Sequence, residues 1–126
     1  MAKKVLLIDD SPTIRSIVQI YLMGRSLEFV EAADGERGLQ LARLLGVDLI
    51  IADVNMPKMD GFTLVKRIRG EVGKLNKVPI VLLTGSATVA EKDALECGAN
   101  AFVRKPVSSG DLVRVVSGLL APEAPP

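Results

Sequence analysis

Four places along the chain join an apolar run to a group that carries charge or donates a proton. "VLLI" runs into Asp9 and Asp10, "LIIA" into Asp53, "IVLL" into Thr84, and "AFVR" into Lys105 and Pro106. Adjacent aspartates repel, and a third carboxylate brought beside them repels both. At neutral pH such a group needs raised pKa values or a cation. Oxygen donors alone, in a chain with no histidine, suit a hard ion and fit Mg²⁺ far better than zinc. The aspartate pair therefore reads as a metal cradle. The plainer reading is that one aspartate caps the next helix, but Ser11 already supplies an N-cap and Pro12 suits the first helical position.

Those groups meet only if the chain brings the ends of its apolar runs together. Between the runs lie stretches of helical period, with apolar residues at Ile14, Ile17, Val18, Tyr21 and Leu22, then Leu64, Val65, Ile68 and Val72, then Leu112, Val115, Val116 and Leu119. Weaker helices fit Glu36 to Leu45 and Val89 to Cys97, and "LEFVEA" (Leu27 to Ala32) alternates as an edge strand does. Strands alternating with helices predict a (βα)5 α/β fold, a flavodoxin-like, doubly wound parallel five-stranded sheet. The runs around Leu7, Ile51 and Leu82 are continuously apolar, as central strands should be, which favours the order 2-1-3-4-5. All strands then point the same way, so Asp9, Asp10, Asp53, Thr84 and Lys105 converge at one edge, where such sheets bind ligands.

Composition narrows the rest. At 126 residues, 48% hydrophobic and 25% charged, the chain matches one soluble domain, expected over residues 1–120 with a flexible tail, "APEAPP", over 121–126. The apolar run behind Lys3 and Lys4 is shorter than the roughly 7 residues of a signal-peptide core, and nothing approaches the ~18 residues of a membrane span. We read the protein as cytoplasmic, without membrane contact. A net charge of +1 gives no field that favours direct nucleic-acid binding, and Lys66, Arg67, Arg69, Lys74 and Lys77 read as a solvated helix face with its loop. The single Cys97 excludes an internal disulfide and reads as a small buried residue.

Asp-Asp, Asp, Thr and Lys-Pro at successive strand ends form a specific set. With "IDDS", "DVNMPKMDG" (Asp53 to Gly61), "LTGSA" and "GANAFVRKP", the chain resembles the receiver domains of two-component response regulators, and most nearly the stand-alone chemotaxis type. The resemblance implies a phosphorylation-dependent switch. Asp53 would accept a phosphoryl group from a sensor histidine kinase or phosphotransfer protein, with Mg²⁺ held by Asp10, Asp53 and the Asn55 backbone carbonyl, and by Asp9 through water. Lys105, joined to Pro106 by a cis bond, would pair with a phosphoryl oxygen. Thr84 and Phe102 would form the switch, acting on a surface of the helix near Val89 to Cys97, the fifth strand and the last helix, where an unknown downstream protein binds. The molecule would be a monomer or a weak phosphorylation-dependent dimer, and would catalyse only its own phosphoryl transfer and autodephosphorylation. Asn55 and Ser86 would flank the hydrolytic water.

Three other readings fit less well. A magnesium-dependent aspartyl-phosphate phosphatase needs a carboxylic acid two residues after its nucleophile, where this chain has Asn55. Dinucleotide binding wants G-x-G-x-x-G after the first strand, and the sequence there is "DDSPTIRS". A binding module that has lost phosphorylation has no need of the full acidic set and Lys105.

Overall fold

The computed structural model describes residues 2–85 and 96–120. Among them are five strands, β1 (Lys3–Ile8), β2 (Leu27–Ala32), β3 (Leu49–Asp53), β4 (Ile80–Thr84) and β5 (Ala101–Arg104). They form one parallel sheet in the order β2-β1-β3-β4-β5, as expected. The α-helices described are α1 (Pro12–Tyr21), α2 (Gly35–Leu45), α3 (Gly61–Arg69) and α4 (Ser109–Leu120), with a 3₁₀ turn over Gly73–Lys77, where the basic residues suggest only a loop. The expected helix from Val89 lies outside the described residues except for Glu96 and Cys97, as do Ser86 and the tail 121–126. No helix among the described residues is long and apolar enough to cross a membrane.

Alternation along each strand builds two cores. Leu6, Ile8, Ile50, Ala52, Ile80 and Leu82 face α2 and α3, whose Leu39, Ala42, Leu64, Val65 and Ile68 complete one buried cluster. Their neighbours Val5, Leu7, Leu49, Ile51, Val81 and Leu83 face α1 and α4, joined by Val18, Leu22, Leu112 and Val116. Every residue of β3 and β4 is buried, as strands covered on both faces require. The βα junctions after β1, β2 and β3 start their helices by the same device. Ser11, Asp34 and Asp60 accept the backbone N–H of Ile14, Arg37 and Thr63 respectively, which starts each helix with its first turn satisfied.

Three expectations need correcting. Val72 is not part of the apolar stripe of Leu64, Val65 and Ile68: α3 stops at Arg69, with Gly70 as its C-cap, and Val72 is 91% exposed. Arg69 does not belong to a solvated face. Its Nε donates to the Gly98 carbonyl (2.9 Å), its Nη1 to those of Asn76 (3.1 Å) and Val78 (2.7 Å), and its Nη2 to Asn100 Oδ1 (2.8 Å). Four acceptors around one planar guanidinium tie the end of α3 to the approaches of β4 and β5. Cys97 is half-buried rather than buried, packed at the margin of the α2–α3 core.

Candidate functional site

Parallel strands deliver the expected residues to one edge. Asp9 follows β1, and its backbone N–H donates to the Ala32 carbonyl at the end of β2 (3.1 Å). Its carboxylate, in a residue only 3% exposed, accepts the Ser11 N–H at 2.9 Å. Asp10 stands beside it, exposed. Asp53 closes β3 at 4% exposure, and its Oδ1 accepts the Asn55 N–H at 3.3 Å. One oxygen from each of Asp9, Asp10 and Asp53 lies within 4.8 Å of the others.

Lys105 enters from the far side of the sheet. Its backbone N–H donates to the Thr84 carbonyl (2.7 Å), its peptide bond to Pro106 is cis, and its Nζ lies 3.2 Å from Asp53 Oδ1 and 3.4 Å from Asp9 Oδ2. One ammonium thus bridges two carboxylates. Burial is the main reason the Asp9 carboxyl is raised above its usual range; the Asp53 charge adds to the rise, while the Ser11 N–H and Lys105 oppose it. Among the described residues, three carboxylates face one ammonium, an excess of negative charge that a divalent cation would offset. The donor set is oxygen only and partly open to solvent, so it fits Mg²⁺ as the sequence reading expected.

The loop after Asp53 is held by a close backbone approach. Gly61 donates its N–H to the Val54 carbonyl (2.8 Å), and a Cβ there would lie 2.6 Å from the Asp53 carbonyl oxygen and 2.9 Å from Val54 Cα. Only glycine admits that approach. Thr84, 1% exposed, ends β4 opposite Arg104, while Phe102 pairs with Leu82, so Thr84 and Phe102 share a sheet face on adjacent strands. The Phe102 ring packs against the α2–α3 core, with the Arg104 guanidinium 5.7 Å from its centroid. The structure therefore brings Asp9, Asp10, Asp53, Asn55, Thr84 and Lys105 to one edge, with Phe102 two positions further back.

Sequence reasoning missed Arg15 and Glu31. Arg15 Nη1 donates to the Asp9 carbonyl, and its Nε pairs with Glu31 Oε1 at 2.9 Å. The available signal was position: Arg15 lies in the first turn of α1, where side chains lean back toward the helix N-terminus and hence toward the strand end.

A parallel 2-1-3-4-5 sheet with an acidic cluster and a lysine at its C-terminal edge defines a receiver-type α/β domain, and comparison with known proteins agrees. The model of the response regulator receiver domain matches residues 5–117, and the chain belongs to that family. It is 38% identical over 119 residues to the probable transcriptional regulator ycf27 of Cyanophora paradoxa, covering 94% of this chain and 48% of that protein. The chain spans about half the length of the curated relatives it matches. Among solved structures, a putative response regulator from Chloroflexus aurantiacus superposes with a TM-score of 0.88 at 35% identity, covering 97% of this chain and 100% of that one. The chemotaxis response regulator CheY4 of Vibrio cholerae gives 0.84 at 36% identity, covering 95% and 100% respectively.

Proposed function

We propose that this chain is a phosphorylation-dependent signalling switch whose phosphoacceptor is Asp53. The observation that carries the reading is the Asp53 carboxylate, fixed at a strand end 3.2 Å from the Lys105 ammonium and within 4.8 Å of the Asp9 and Asp10 oxygens. An Asp53 oxygen attacks the phosphorus of a phosphohistidine on a histidine kinase or phosphotransfer protein. The P–N bond breaks, the imidazole leaves with its electron pair and takes up a proton, and an acyl phosphate remains on Asp53. Phosphoryl transfer of this kind rests on positioning and on neutralising oxygen charge. Lys105 neutralises a phosphoryl oxygen directly, and the Asn55 N–H holds the attacking carboxylate in place. Mg²⁺, held by Asp10, Asp53 and the Asn55 carbonyl with Asp9 acting through water, would supply the remaining neutralisation.

After transfer, the Thr84 hydroxyl turns to a phosphoryl oxygen and Phe102, on the same face, moves inward, altering the surface of β5 and α4 that a downstream protein reads. The domain works in the cytoplasm as a monomer or weak phosphorylation-dependent dimer. It contacts proteins rather than nucleic acid and turns over only its own acyl phosphate. The test is intact-mass analysis after incubation with acetyl phosphate, with and without Mg²⁺. The wild type gains one phosphoryl group only with Mg²⁺, and Asp53→Asn, which keeps shape and removes the nucleophile, gains none. Equal labelling of Asp53→Asn would overturn the assignment.

A further inference from the structure

Asp9 and Asp10 share one peptide plane, and Arg15 holds that plane from outside the acidic cluster. The Asp9 carbonyl accepts from Arg15 Nη1, while the Asp9 N–H is tied to the Ala32 carbonyl at 3.1 Å. A peptide unit is rigid, so fixing the Asp9 carbonyl also fixes the Asp10 nitrogen and the direction in which Asp10 leaves the strand. The guanidinium is fixed in turn: its Nε is 2.9 Å from Glu31 Oε1 at the end of β2, and its side chain is only 15% exposed. A planar fork held at Nε by one partner has little freedom left at Nη1.

We propose that Arg15, anchored by Glu31, is a positioning residue that sets the Asp9–Asp10 peptide so that both carboxylates point into a divalent-ion site. The inference rests on reading Asp9, Asp10 and Asp53 as that site. It makes an assertion about sign that charge alone does not. A guanidinium beside an acidic cluster repels an incoming cation, so if Arg15 acted only as a charge, its removal would tighten metal binding. Positioning requires the opposite, because loss of an outer partner that orients metal ligands weakens affinity by about 10- to 100-fold.

The experiment is titration of the metal-free full chain with MgCl₂ by isothermal calorimetry, well below the melting temperature of each variant. Amide NMR spectra of the metal-free proteins are recorded alongside. Arg15→Met is expected to weaken Mg²⁺ binding at least about tenfold, and Arg15→Lys, which keeps the charge but not the fork, nearly as much. Glu31→Gln, which loosens the anchor and leaves the Asp9 contact, should weaken it less. In all three the Asp10 amide resonance should move before metal is added. Unchanged or tighter binding by Arg15→Met overturns the proposal. If that variant does not fold, a folded Arg15→Lys with wild-type affinity and an unmoved Asp10 amide overturns it. Absence of Mg²⁺ binding by the wild type would instead refute the site itself, and with it this inference.

Discussion

Among the described residues, the Lys105 ammonium is the cation paired with the cluster, and its replacement by methionine should expose that role. The Nζ lies 3.2 Å from Asp53 and 3.4 Å from Asp9, in a side chain 22% exposed facing two carboxylates that are 6% and 4% exposed. At an effective dielectric of about 20 each pair is worth roughly 5 kcal/mol gross. Desolvating the ammonium costs much of that, and the Asp9 carboxyl, already raised by burial, relieves a further part because it protonates more readily without Lys105. The net loss for Lys105→Met without metal is therefore ~2 kcal/mol, below the 3 to 5 kcal/mol of a fully buried broken pair. Mg²⁺ and the ammonium compete for the same oxygens, so the variant should bind Mg²⁺ more tightly, up to about thirtyfold if the whole 2 kcal/mol is recovered. Urea unfolding with and without 10 mM-scale MgCl₂, together with calorimetric titration, closes the cycle. Unchanged metal-free stability combined with unchanged Mg²⁺ affinity would refute the reasoning, since it would mean that Lys105 neutralises nothing in the resting site.

Three further outcomes are expected. The folded state holds the Asp9 proton more tightly than the unfolded chain does, so in the metal-free protein this group's stabilising contribution is complete below the ordinary value of 3.8 and is lost as pH rises through its raised folded value; Asp9→Asn should remove that slope from a series of unfolding curves and stabilise the metal-free protein at pH 7, and a persistent slope would locate it elsewhere. Gly61→Ala places a methyl 2.6 Å from the Asp53 carbonyl oxygen, where backbone must move, so denaturant unfolding should show a loss of about 1 to 3 kcal/mol and acetyl-phosphate labelling should slow; wild-type stability would mean that the loop yields freely. Thr84→Val should still accept a phosphoryl group on Asp53 but lose one charge-assisted bond worth ~1.5 to 3 kcal/mol to the active state, roughly ten- to a hundredfold in its population when it is the minor state; amide NMR shifts of β5 and α4 that match the phosphorylated wild type in full would make Thr84 strand-end packing only.

How much of this was legible in the sequence depended on which groups carry the information. Strand direction is a backbone property, and continuous apolar runs around Leu7, Ile51 and Leu82 with mixed runs at Leu27 and Ala101 separated central from edge strands, which favoured the observed order together with the family resemblance. Once the order was known, convergence of Asp9, Asp10, Asp53, Thr84 and Lys105 followed without any side-chain detail, because parallel strands end at the same edge. The start of α1 was equally readable, since Ser11 acts on backbone three residues away; Asp34 and Asp60 cap α2 and α3 in the same way but were not singled out in the sequence. Val72 was misplaced because helical period alone does not say where Gly70 stops the helix.

What escaped were long cations whose partners are distant in sequence. Arg69 looked like one more surface charge in a basic run, yet its acceptors lie 7 to 31 residues away and come together only when α3 is packed beside β4 and β5. Arg15 is the same case at the functional edge, with partners 6 residues back and 16 residues ahead. An arginine presents several donors at the end of a flexible stem, so its role is decided by which carbonyls the folded backbone leaves within reach. The acidic residues of this site announce their chemistry by type and spacing. The cations that orient the backbone around them do not, and for that reason the charge-retaining Arg15→Lys is a sharper test of the site than removal of any carboxylate.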